Sequence, residues 1–128
     1  KIKTIGDAYM AVCGLPAENH EHALKIIRAA KDIVAFVAER KSNGGLFDIR
    51  VGINTGSVVA GIIGIKKYAY DIWGDTVNTA ARMESNSEAG RINISETTYE
   101  LIKSEFNCTY RGEIEAKNKG LIKMYFVD

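Results

Sequence analysis

The sequence has few cysteines. Cys13 and Cys108 are the only two among 128 residues, and both lie in apolar, strand-like runs. Two isolated thiols do not make the disulfide framework of a small secreted domain. They predict buried free thiols in a reducing compartment, and so a cytoplasmic location.

Long hydrophobic runs are also absent. The longest apolar stretch, Val58–Ile65, is short and glycine-rich compared with a segment that spans a bilayer. We find no leader with a basic start and an apolar centre, so we expect no membrane segment in this chain. The chain opens on Lys1-Ile2-Lys3 in a strand-like pattern without an initiator Met, which is typical of part of a longer protein.

The sequence also lacks an excess of basic or of acidic residues. The sequence has 17 Lys and Arg against 16 Asp and Glu, a formal net charge of +1. This balance argues against a general nucleic-acid-binding surface, so any phosphate recognition must come from a few placed cations. A length of 128 residues with 46% hydrophobic residues predicts one globular domain over residues 1–128.

What the sequence does contain is a mixed succession of strand-like and helix-like segments. The predicted elements are a hairpin of Ile2–Ile5 and Ala8–Cys13, a helix capped by Asn19, a strand over 47–53, an apolar connector over 58–64, a strand over 68–73, a helix capped by Asp75, a strand over 91–94, a helix from Ser95 to about Lys103, and strands over 106–110 and 121–127. This order fits a sheet with helices packed on one face.

The helix that begins at Asp75 carries a polar pair. Asn78 and Arg82 are four residues apart, so a helix places them one turn apart on one face. Asp75 can accept a backbone N–H as N-cap, and the unpaired N–H groups there favour an anion nearby. On spacing alone, a capped surface helix with a solvated arginine is the commoner arrangement, and a nucleotide site is the alternative.

The wider sequence favours the nucleotide site. Residues 70–85, YDIWGDTVNTAARMES, resemble the signature of the class III nucleotidyl cyclases, the adenylate and guanylate cyclases. Three further blocks agree in the same order: KIKTIGDAYMAVCG at 1–14, IRVGINTGSVVAGIIG at 49–64 and RGEIEAKNKG at 111–120. The resemblance implies an α+β fold, with a ferredoxin-like, palm-type core and a mixed sheet with helices packed on it. By that comparison, the first strand and the helices after it are missing from this chain.

The resemblance also implies roles for individual residues. Lys3 and Asp71 would read the base, because a Lys donor and an Asp acceptor match the N1 and exocyclic amine of adenine. Guanylate cyclases place Glu and Cys at these positions. Asn78 would orient the ribose, and Arg82 would stabilise charge on the α-phosphate. Lys117 would hold the triphosphate, although the next residue is Asn118 where the family has Gly.

Two divalent cations, Mg²⁺ or Mn²⁺, are implied as cofactors, with Asp7 as one ligand on the Gly6-Asp7 turn. The second aspartate of the family would lie upstream, so we expect the isolated chain to be inactive. The metal alternative at His20 and His22 is rejected, because residues two apart lie on different helix faces.

The resemblance therefore implies an adenylate cyclase that converts ATP to 3′,5′-cyclic AMP and pyrophosphate for intracellular signalling. The family's active site lies at a dimer interface, so a homodimer with two equivalent sites is expected. The alternatives are a guanylate cyclase and a non-catalytic, cyclase-like domain that binds a nucleotide or regulates by dimerisation.

Overall fold

A computed structural model of the protein describes residues 3–5, 8–14, 21–45, 47–57, 59–63, 69–116 and 120–128; for 3–5, 59–63 and 69–73 it describes the backbone. The described strands and helices, in chain order, are β1 (Lys3–Ile5), β2 (Ala8–Met10), α1 (His22–Ser42), β3 (Val51–Ile53), β4 (Val59–Ile63), β5 (Ala69–Trp73), α2 (Asp75–Ser85), β6 (Ile92–Ser95), α3 (Glu96–Ile102), β7 (Cys108–Ala116) and β8 (Gly120–Val127). Among these described segments, no helix is both long and apolar enough to cross a membrane.

Four of the strands form a mixed sheet in the order β3-β6-β8-β7. β3 and β6 run parallel with Gly52 opposite Asn93, and β8 runs antiparallel to both of its neighbours. The remaining described strands form two antiparallel pairs, β1 with β2 and β4 with β5. The predicted α+β class with a mixed sheet is confirmed.

The helices lie on both faces of this sheet. Ile92 and Ile94 of β6 belong to the hydrophobic core that α1 and α3 cover. Asn93 lies between them and points to the other face, because side chains alternate along a strand. There its amide contacts the backbone of Met83 on α2. The prediction that the helices share one face is therefore wrong: β6 is buried at all four positions, so it needs cover on both sides.

Several predicted boundaries also change. α1 begins at His22 with Glu21 in the cap position, whereas the predicted cap Asn19 lies outside the described residues. The strand predicted over 47–53 is limited to Val51–Ile53. Phe47 precedes that strand and is 82% exposed, so its place in the apolar alternation did not predict burial.

The segment predicted as an apolar connector contains β4, which pairs with β5 from Val59 opposite Trp73 to Ile63 opposite Ala69. Gly61 is unfavourable in a strand and led to the prediction of a connector, but pairing with β5 stabilises this segment as a strand. The first hairpin is confirmed, since Lys3 lies opposite Met10 and Ile5 opposite Ala8.

The two cysteines are free thiols, as predicted, but both are only partly buried. Burial, with a smaller contribution from the carboxylate of Asp128, raises the pKa of the Cys108 thiol. The thiol therefore resists ionisation in the folded protein.

Candidate active site

Helix α2 carries two of the predicted site residues, and a glycine sets its start. Gly74 precedes the helix with φ 115° and ψ −175°, a backbone region that is essentially open to glycine alone. The cap position therefore belongs to Gly74, and Asp75 is the first helical residue, so the helix begins one residue earlier than predicted. Its carboxylate still lies in the first turn, where the helix dipole favours a negative charge.

Asn78 and Arg82 both lie on α2 with exposed side chains, one turn apart as the spacing predicted. The adjacent face of the helix, about 100° around its axis, is buried through Thr79 and Met83, at 5% and 0% exposure. Packing on the sheet therefore directs the polar pair to solvent. Their shared face follows from the structure, while their catalytic roles stay predictions.

The Arg82 guanidinium is held by the end of β7. Its Nη1 donates a hydrogen bond of 3.0 Å to the carbonyl oxygen of Glu115. Glu115 is two residues before Lys117, the predicted triphosphate residue. Lys117 lies outside the described residues, but this bond places Arg82 next to the chain segment that leads to it.

The predicted base-reading residues lie on two different strand pairs. Lys3 is in β1 opposite Met10, and Asp71 is in β5 opposite Gly61. The structure describes the backbone of both strands, so the meeting of these two side chains stays a prediction.

The first turn of α2 borders a cleft of about 680 Å³. Its wall includes the loop 54–57, the start of α3 and strands β7 and β8. Asn54 Nδ2 donates to the carbonyl oxygen of Thr76 at 3.0 Å, and Asn54 Oδ1 accepts from Ser95 Oγ at 2.6 Å. Ser95 occupies the predicted cap position of α3, but its hydroxyl makes no capping bond to the helix backbone; it bonds to Asn54 and also lies 3.0 Å from the hydroxyl of Thr97.

Asn54 was missed by sequence reasoning. Its position directly after the buried end of β3 could have identified it, because a polar side chain there needs a hydrogen-bond partner. The cleft carries both signs of charge, with Lys123 3.9 Å from Glu96. Burial, with a smaller contribution from the Glu96 carboxylate, raises the pKa of the nearby Tyr125 phenol.

The chain's candidates for holding a metal are few. Within the described residues, no group of three or more His, Cys, Asp or Glu side chains could hold an ion. The predicted ligand Asp7 lies outside the described residues, as does His20. One carboxylate is too few ligands for two cations, so these residues do not by themselves fit a two-metal centre.

The chain belongs to the family of adenylate and guanylate cyclase catalytic domains. A model of that family matches residues 1–128, as the four sequence blocks predicted. An adenylate cyclase of Mycobacterium tuberculosis is 39% identical over 128 residues, covering 99% of this chain and 29% of the relative. The receptor-type guanylate cyclase gcy-8 of Caenorhabditis elegans is 43% identical over 134 residues, covering 99% of this chain and 12% of the relative. The chain thus spans less than a third of either relative.

A solved structure agrees with the family assignment. The catalytic core of a rhodopsin-guanylyl cyclase with converted specificity, in complex with ATPαS, superposes with a TM-score of 0.91 at 43% identity. The match covers 98% of this chain and 69% of that one. Because adenylate and guanylate cyclases are similar to this chain at comparable identity, the choice of base depends on individual residues.

Proposed function

We propose that the chain is the catalytic domain of an adenylate cyclase, which converts ATP into 3′,5′-cyclic AMP and pyrophosphate. The observation that carries the proposal is the identity of Lys3 and Asp71 at the two base-reading positions of a chain that belongs to the cyclase family. A guanylate cyclase is the second candidate, because relatives with that name are as similar to the chain as adenylate cyclases.

The two residues favour adenine through hydrogen-bond polarity. Lys offers only donors, which suit adenine N1, and an ionised Asp offers only acceptors, which suit the exocyclic amine. Guanine presents a carbonyl acceptor and an N–H donor with the opposite arrangement. It would leave at least one buried polar group badly paired, and such mismatches are heavily penalised in a dry pocket.

The reaction is an intramolecular displacement at the α-phosphorus of ATP. The ribose 3′-oxygen forms a bond to that phosphorus, its proton passes to solvent water, and the bond to the bridging oxygen of the β-phosphate breaks, so that pyrophosphate leaves. Asn78 orients the ribose, and Arg82 donates to the α-phosphate oxygens as their charge grows. A preorganised donor aimed at developing charge is usually a large catalytic contribution.

Lys117 and Asp7 complete the proposed set. Lys117 holds the triphosphate, and Asp7 supplies one carboxylate to divalent cations, Mg²⁺ or Mn²⁺. When bound, such cations neutralise phosphate charge and acidify a hydroxyl.

The proposed active unit is a homodimer in which each site combines residues of both copies. In each site, the metal-binding carboxylates of one copy face the nucleotide-binding residues of its partner, which are Lys3, Asp71, Asn78, Arg82 and Lys117. Two-fold symmetry makes the two sites equivalent.

The base assignment is tested by exchanging the two residues for those of guanylate cyclases. Initial rates with ATP and with GTP are measured for the complete catalytic domain, here called the parent protein, and for its Lys3→Glu, Asp71→Cys double variant. We expect the parent protein to favour ATP by about 10²-fold or more and the double variant to shift towards GTP.

The matched control makes the same two chemical changes elsewhere. Lys41 and Asp48 form an exposed ion pair of 2.7 Å. Lys41→Glu with Asp48→Cys should leave the nucleotide preference unchanged, because an exposed pair contributes little. A folded base-site variant that keeps the parent preference would contradict the assignment, and a parent protein that favours GTP would establish the guanylate alternative.

A further inference from the structure

The C-terminal end of α2 rests on a buried polar side chain of the sheet. Asn93 of β6 is 0% exposed. Its Nδ2 donates to the carbonyl oxygen of Met83 at 2.9 Å and lies 3.3 Å from the sulfur of Met124. Its Oδ1 is buried and has no hydrogen-bond partner within the described residues.

The Met83 carbonyl accepts this bond because the helix ends there. In a continuing helix its partner would be the amide N–H of Ser87. The Ser87 N–H instead bonds to the carbonyl of Glu84 at 3.0 Å. The Asn93 amide therefore takes the place of the next helical donor, and it does so from the sheet.

The neighbouring strand lets the helix come this close. Gly52 of β3 lies opposite Asn93 in the parallel register. A Cβ at Gly52 would be only 1.9 Å from the backbone nitrogen of Glu84. The backbone of α2 thus lies directly on β3, and Asn93 bonds to it at the same level of the sheet.

Packing alone does not account for an asparagine at this position. A buried oxygen without a partner is unfavourable, and an apolar side chain of similar size would avoid it. What the amide adds is a directional bond from the sheet to the helix backbone. Such a bond fixes how far α2 is displaced along its axis and how it is rotated.

We propose that Asn93 is a positioning residue for the cyclase reaction: by holding the Met83 carbonyl, it sets where the adjacent Arg82 presents its guanidinium. The inference rests on the proposed role of Arg82 in the transition state. A small displacement of a catalytic group is costly, since a shift of about 1 Å can reduce a rate by about 10²-fold. Asn93 acts through α2 and touches no substrate.

A double-mutant cycle tests this inference. Asn93→Leu removes the donor while keeping the number and branching of the side-chain heavy atoms, and it is measured in the parent protein and in an Arg82→Ala background. We expect Asn93→Leu to lower kcat by roughly 10–100-fold in the parent, with KM for the nucleotide changed by less than about threefold. In the Arg82→Ala background it should have almost no further effect, because the group it positions is gone.

Ile94→Val is the matched control. Ile94 is the next residue of β6, is equally buried at 0% exposure and faces the core on the other side of the sheet. The Ile94→Val substitution weakens the packing of the core without touching α2, so any change in kcat should be small and equal in both backgrounds. Circular dichroism checks that each variant is folded, and Asn93→Ser replaces Asn93→Leu in the cycle if the latter does not fold.

The possible failures are distinguishable. If Asn93→Leu lowers kcat equally in both backgrounds, or no more than Ile94→Val does, the positioning role is overturned while the proposed function stands. If Arg82→Ala itself retains parental activity, the proposed role of Arg82 fails, and the inference about Asn93 fails with it.

Discussion

Gly52 is the point at which a single added methyl group should displace helix α2. An ideal Cβ at this position would lie 1.9 Å from the nitrogen of Glu84 and 2.4 Å from the carbonyl carbon of Met83. Both are backbone atoms, so no side-chain rotation can relieve the clash. Ordinary carbon contacts begin near 3.5 Å, so α2 would have to move away from β3 by roughly 1.5 Å.

This displacement should affect both stability and catalysis. Overpacking a core typically destabilises a protein by about 1–3 kcal/mol, and a backbone clash favours the upper end of that range. Arg82 moves with the helix, so Gly52→Ala should also lower kcat by about 10²-fold. Thermal unfolding and initial rates of cyclic nucleotide formation are the two measurements.

Gly90→Ala is the matched control. Gly90 has φ +76° and open space where a Cβ would be. Alanine there adopts a left-handed conformation that costs about 1–2 kcal/mol, but it does not push against α2. Gly90→Ala should therefore lower stability while leaving kcat unchanged. The reasoning is refuted if folded Gly52→Ala keeps the parental kcat, or if both variants lose activity in proportion to their loss of stability.

Three further outcomes are expected. Arg82→Ala should lower kcat by roughly 10²–10³-fold with a much smaller loss of nucleotide affinity, and equal losses in both would make Arg82 a ground-state binding residue. Asn54→Ala should lower the free energy of unfolding by about 1–3 kcal/mol, since it removes the hydrogen bonds of the Asn54 amide to the Thr76 carbonyl and the buried Ser95 hydroxyl; an unchanged melting temperature would contradict this. Burial raises the pKa of the Cys108 thiol in the folded state, so the thiol of the unfolded state loses its proton at a lower pH. The free energy of unfolding should therefore fall as the pH rises through about 8.5. The Cys108→Ala variant should show a shallower decline.

Local patterns in the sequence were sufficient for several elements. The four-residue spacing of Asn78 and Arg82 predicted their common helix face, because helical periodicity is a property of the segment itself. The Gly6-Asp7 turn likewise predicted the pairing of β1 with β2. The four sequence blocks indicated the cyclase family, which the match over residues 1–128 confirms.

The tertiary structure decided which face of the sheet each helix covers and what holds it there. Arg82 bonds to Glu115, 33 residues away, and Asn93 bonds to Met83 from a strand that is paired with β3 and β8. A local pattern shows that a segment has a buried side but not which partner buries it. That choice depends on strand order and on the space above Gly52, and these exist only after distant segments have packed together.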